Sequence, residues 1–189
     1  MNRVWFTADT HFGHTNIIKY CNRPFSNAGE MDRAIIDNWN KVVAPDDSVY
    51  HLGDFCFKTY YGPQQYLSKL NGNLWVVYGN HDKQLQRFFR GGGCHSGIKC
   101  GILPAEAKIC INGQEIILSH YSMRVWNKSH HGTWQLYGHS HGTLFDDPNM
   151  LSIDVGVDSH HFFPICFEQI KAIMSKKTFK PIDHHGKKS

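Results

Sequence analysis

The chain has 189 residues, enough for one domain that buries a real core without disulfide support, with 20 basic side chains against 16 acidic. The net charge of +4 sits at the C-terminal end, where Lys176, Lys177, Lys180, Lys187 and Lys188 face only Asp183, so the rest of the chain is neutral. That balance argues against sustained phosphate-backbone binding, no apolar run approaches the roughly 20 residues that cross a bilayer, and six cysteines without C-x-x-C spacing exclude a zinc knuckle or redox pair.

Residues 3–8 are β-branched and aromatic and read as a strand that delivers Asp9-Thr10-His11. From Met31, the apolar positions Ala34, Ile35, Trp39, Val42 and Val43 recur at helical spacing, with Asn27 and Glu30 as a capping pair and Pro45 as the stop. A second strand over 48–52 delivers Gly53-Asp54. Pro63 starts a helix predicted to reach Leu70, and Asn71-Gly72 turns the chain. The apolar run 74–78 reads as a strand buried on both faces, and it delivers Gly79-Asn80-His81-Asp82.

A short helix over 83–90 stops at Gly91-Gly92-Gly93. Asn112-Gly113 marks a two-residue hairpin between 107–111 and 114–119, whose second arm ends at His120. Residues 134–137 precede Gly138-His139-Ser140-His141, 151–155 form another strand, and 164–174 read as a closing helix. Helix–strand alternation first and hairpins later predict an α/β domain of sheets flanked by helices. Residues 1–175 make that single domain, and 176–189 a basic, mobile tail.

Each polar cluster follows a predicted strand, and the C-terminal strand edge is where α/β sheets bind ligands. Any one cluster is compatible with a turn, since Gly, Asn and Asp are turn residues. Four in one chain, with His120, instead assemble the oxygen and nitrogen donors that hold paired divalent cations. Donors without cysteine suit Mn²⁺, Fe, Zn²⁺ or Ni²⁺.

On Asp9-x-His11, Gly53-Asp54, Gly79-Asn80-His81-Asp82, His120 and Gly138-His139-x-His141, the chain resembles the calcineurin-like metallophosphoesterase family, as a short member without a cap domain. The resemblance implies two sheets packed face to face with helices outside, a four-layer α/β/β/α sandwich. It implies that Asp9, His11 and His141 hold one metal, that Asn80, His120 and His139 hold the other, and that Asp54 bridges both. It further implies in-line attack on phosphorus by a hydroxide shared between the metals, with His81 protonating the leaving oxygen. Asp82 is expected both to orient His81 and to cap the helix over 83–90.

Other residues give fainter signals. His14, with Asn16 nearby, is placed to contact substrate phosphate or to stabilise the loop by a hydrogen bond; His51 reads as a support for the metal ligands or a core histidine. Arg124 and Arg23 are the arginines that could grip phosphate, against a plain surface role. Tyr121, Trp126 and Trp134 could stack a nucleobase, with core packing favoured for Trp134. Asp158 and His160-His161 read as loop or rim, and Cys94-His95 with Cys100 makes a poor zinc site. The expected protein is thus a cytoplasmic, dinuclear metal-dependent phosphoesterase acting on phosphodiesters or nucleotide-like substrates. The alternatives are a phosphomonoesterase or a non-catalytic scaffold of the same fold, and nucleic-acid binding would run through the basic tail.

Overall fold

The computed structural model describes residues 2–93 and 99–182. Two sheets carry the fold. In the first, β1 (Val4–Thr7), β2 (Ser48–His51), β3 (Asn73–Val76) and β4 (Cys100–Ile102) run parallel in the order β4-β3-β2-β1, and β9 (Ile165–Cys166) closes the edge antiparallel to β1. In the second, β5 (Glu106–Ile111) and β6 (Gln114–Ser119) form the expected hairpin, followed in parallel by β7 (Trp134–Tyr137) and β8 (Ser152–Asp154). Asn112 and Gly113 both take positive φ, 49° and 84°, as the tight hairpin turn demands.

Alternation along the strands builds two cores. Phe6, Leu52 and Val77 point from the first sheet into a cluster with Ile116, Leu118, Leu136 and Ile153 of the second. Their neighbours Trp5, Val49, Leu74 and Val76 face the other way, onto α1 (Thr15–Tyr20), α2 (Ala28–Val42), α3 (Gln64–Leu67) and α4 (Lys83–Arg90). Helix α2 buries Met31, Ile35 and Trp39 there, and the Asn27 side chain caps it by accepting from Glu30 N. Helix α5 (Phe167–Met174) packs Phe167, Ile170 and Met174 into the inter-sheet core, with Phe167 stacked 5.8 Å from Trp134. Two sheets flanked by helices is the architecture the resemblance implied.

Several elements differ from the sequence expectation. The helix after Pro63 is one turn, Gln64–Leu67. The segment 164–174 does not begin as helix: Ile165 and Cys166 pair antiparallel with Phe6 and Trp5 first, because an open edge of β1 needs a partner for its backbone. Helix α1 and strand β4 had no clear pattern; each is short, and β4 exists where Gly101 lets the backbone lie on Trp75. Residues 176–182 are docked rather than loose. Lys177 pairs with Asp146 and donates to Ser152 O at 2.8 Å, while Thr178 N and Lys180 N bond Pro148 O and Asn149 O, both at 2.8 Å. Residues 183–189, and the Cys94-His95 pair, lie outside the described residues. Among the described residues, no helix is long and apolar enough to cross a membrane.

Candidate metal centre

Register brings the polar clusters to one crest. Thr7, His51 and Val76 stand side by side at the ends of β1, β2 and β3, so Asp9, Asp54 and Asn80 follow within a few residues of a common line. The second sheet aligns Leu118, Leu136 and Ile153 in the same way, ahead of His120, His139 and Asp154. A parallel bridge between Ala8 and Gly156 and the bond from Val157 N to Ala8 O, 3.0 Å, join the two crests. His139 N donates to Asp9 Oδ2 at 2.8 Å, and His120 Nδ1 donates to Leu52 O at 2.8 Å, tying the sheets at the site itself.

The backbone there is strained. Asp9, His11, Asp54, His139 and His141, five of the seven expected ligands, sit in the left-handed region with φ between 48° and 67°. Each such residue costs about 1–3 kcal/mol, and strain of this kind collects where side chains are aimed for function. The glycines between them are there because the chains touch. A Cβ on Gly79 would lie 2.2 Å from Asp54 Oδ1 and 2.5 Å from Asp54 N; one on Gly138 would lie 2.5 Å from Ala8 Cβ. Gly79→Ala is therefore expected to destabilise the fold by about 1–3 kcal/mol through overpacking, seen as a lower urea midpoint with an unaltered m-value.

Two groups of donors face each other. One donor atom each from Asp9, His11 and His141 lie within 4.8 Å of one another, and the same holds for Asp54, His120 and His139. Asp54 Oδ2 stands 3.5 Å from His11 Nε2 and 3.6 Å from His120 Nε2, between the groups. Asn80 Oδ1 lies 3.0 Å from His120 Nε2. Because Leu52 O can only accept, His120 carries its proton on Nδ1, and burial first of all lowers its pKa. Its Nε2 therefore turns a lone pair toward the lone pairs of Asn80 Oδ1, an arrangement that a shared cation makes favourable.

The donor chemistry fits a divalent cation. Asp9 Oδ1 and His11 Nε2 are buried without a hydrogen-bond partner, a costly state that metal coordination relieves. Burial, then the nearby Asp154 and Asp54 carboxylates, holds Asp9 well above the usual carboxylate range. Burial, then His141 and Arg23, holds His11 well below the usual imidazole range and keeps it neutral. Cys21 also approaches His141 and Asp158, but burial pushes its thiol up to about 11, so it stays protonated and a poor ligand.

Supporting residues correct several expectations. Asp82 neither hydrogen-bonds His81 nor caps α4 with its side chain. Its buried carboxylate accepts from Asp54 N, Phe55 N and Gly79 N, each at 2.8 Å, and so locks two motif loops together. Burial and the Asp54 charge push its carboxyl up to about 6 despite those bonds. His14 is buried with Nδ1 3.3 Å from His11 Nδ1 and its ring stacked 4.1 Å from Phe57, so it supports a ligand. His51 is a neutral core histidine, pushed down to about 3 by burial, and bonds Thr10 Oγ1 at 3.0 Å.

Neither arginine is placed to grip phosphate from the surface. Arg124 is exposed beside Trp126, Leu151 and Lys180, near the starts of β7 and β8 and so at the edge opposite the donors. Arg23 is buried. It forms a two-pronged pair with Asp158 (2.8 and 2.7 Å) and donates to Asp9 O at 2.7 Å and Thr10 O at 3.3 Å. Asp158 Oδ2 in turn accepts from His141 Nδ1 at 2.7 Å. Burial raises the Asp158 carboxyl, but the bonds from His141 and Arg23 outweigh it and hold it below the ordinary range. Tyr121 lies at the rim, 4.6 Å from the His139 ring and half-exposed. Trp126 and Trp134 are buried in the core and stack nothing from outside.

These features define a class: a two-sheet α/β sandwich with a candidate metal centre built across its strand ends. Residues 3–156 match the calcineurin-like phosphoesterase superfamily domain, and the chain belongs to that superfamily. It is 33% identical over 183 residues to an uncharacterized protein of Methanocaldococcus jannaschii, with 93% of each chain covered. It is also 25% identical over 187 residues to the gene 66 protein of Mycobacterium phage D29, covering 85% of this chain and 90% of that protein. A protein of unknown function from Aquifex aeolicus shares the fold with a TM-score of 0.68 at 24% identity, over 92% of this chain and all of the other.

Proposed function

We propose that this chain hydrolyses phosphate esters at a pair of divalent cations, and that phosphodiesters are favoured over monoesters. The carrying observation is Asp54, whose one oxygen stands within 3.6 Å of a histidine nitrogen from each donor group. In this reading Asp9, His11 and His141 hold one cation, Asn80, His120 and His139 hold the other, and Asp54 belongs to both. When bound, such a pair supplies an activated water near neutral pH and neutralises charge on the phosphoryl oxygens.

The protein's own residues do the rest. Ligands fixed by strained backbone and by bonds to neighbouring loops need no reorganisation as charge develops. His81 is exposed at the crest, its ring 5.4 Å from His11, and its backbone N–H donates to Asp54 Oδ1 at 2.8 Å. From there it donates a proton to the departing oxygen. Asp82 acts on this step only through the backbone, as a positioning residue. A general acid matters most for alkoxide leaving groups, such as those of alkyl phosphodiesters. Residues 1–175 form the catalytic domain in this proposal.

Chelator treatment is expected to abolish hydrolysis, with Mn²⁺ or a similar ion restoring it at two ions per chain. Activity that survives chelation, or saturation at a single ion, contradicts the proposal. His81→Ala should keep both metals yet slow alkyl diesters about 10²–10⁴-fold, with a much smaller loss for nitrophenyl esters whose leaving group needs no proton. Equal slowing of both series removes His81 from the acid role.

A further inference from the structure

Beside the donor cluster lies a cavity of about 400 Å³, within the range of small-molecule sites, and His141 is shared between the two. None of His14, Phe57 and His81 lines it, so the proposed leaving-group acid stands outside it. A monoester has one substituent on phosphorus and needs no second room. A diester has two, and the one that stays must rest somewhere. We propose that this cavity seats the retained alcohol of a phosphodiester, and that it selects an uncharged, hydroxyl-bearing group. The inference rests on the phosphodiesterase reading above and names the substrate class for it.

The lining argues for that chemistry. Two of its three carboxylates are matched: Asp158 by Arg23 and Asp146 by Lys177. Asp154 remains, with its oxygens accepting Gly156 N at 2.7 Å and Gly142 N at 3.0 Å, and it still has lone pairs for a ligand hydroxyl. Its charge disfavours a second phosphate or a carboxylate. Ser159 lines the cavity, and its Oγ is buried without a hydrogen-bond partner. Tyr137 adds a phenol to the lining. Leu144 and Ile153 give an apolar side for the carbon face of a polyol or sugar.

The test is a series of nitrophenyl phosphodiesters whose retained group is methyl, glyceryl, 2-aminoethyl or 2-carboxyethyl, assayed on the metal-loaded full chain. Glyceryl should exceed methyl by roughly tenfold in kcat/KM, as two or so added hydrogen bonds imply, and carboxyethyl should fall below methyl. Ser159→Ala and Leu144→Trp should each bring the glyceryl-to-methyl ratio toward one, the first by removing a hydrogen bond and the second by filling the space. Equal values across the series, an aminoethyl ester that beats glyceryl, or ratios untouched in both variants overturn the proposal while leaving phosphodiesterase activity intact. No hydrolysis of any member defeats the phosphodiesterase reading itself, and this inference with it.

Discussion

Asp54→Asn is expected to cost about 10²–10³-fold in hydrolysis, the scale on which loss of a single preorganised electrostatic group is felt. The reason is the position of one atom. Asp54 Oδ2 approaches a histidine of each group, and Oδ1 holds the His81 backbone. An amide keeps the shape of the side chain but removes its charge, and one of its two ends becomes a donor that a cation repels. In the proposed dinuclear centre both cations would then lose their shared anion, so metal measured per chain after dialysis should fall from two toward zero. The fold should survive, because the Asp54 backbone bonds to Asp82 and His11 do not involve the carboxylate. A variant that keeps two ions and near-normal turnover would refute the bridging role.

How much of this was legible in the sequence depends on range. Most of the expected donors stood out because they sit in clusters of two to four residues directly after a strand, with His120 alone at the end of another. Helix α2 and the β5–β6 hairpin were legible for the same reason: a capping pair, a periodicity, an Asn-Gly turn. What could not be read is what crosses the chain. Asp82 looked local, next to His81 and at the head of α4, yet its carboxylate reaches back to residues 54 and 55. Strand β9 is two residues long and exists because β1 has an open edge at that point. Arg23 and Asp158 stand 135 positions apart, and neither belongs to any motif. Charged residues in loops are usually at the surface, and only the folded chain shows that these two are buried together.

That pair has the largest consequence of the unread residues. Asp158→Asn leaves the Arg23 guanidinium buried beneath the first motif loop without its counter-charge, which costs about 3–5 kcal/mol in comparable buried pairs. A shift of that size in the urea midpoint is the first readout. The second is selective. Asp158 fixes the tautomer of His141, so affinity at the Asp9, His11 and His141 group should drop about 10–100-fold, whereas the Asp54, Asn80, His120 and His139 group keeps its own supports at Leu52 and Asp9. If the proposed pair of sites exists, metal titration should therefore change from two strong sites to one strong and one weak. Replacing both partners, Arg23→Met with Asp158→Leu, removes the buried charges together and should recover much of the stability but not the weakened site. That split separates a residue that only holds the fold from one that also aims a ligand. Equal weakening of both metal sites in Asp158→Asn, or full recovery of the second site in the double variant, would mean that Arg23 and Asp158 serve packing alone.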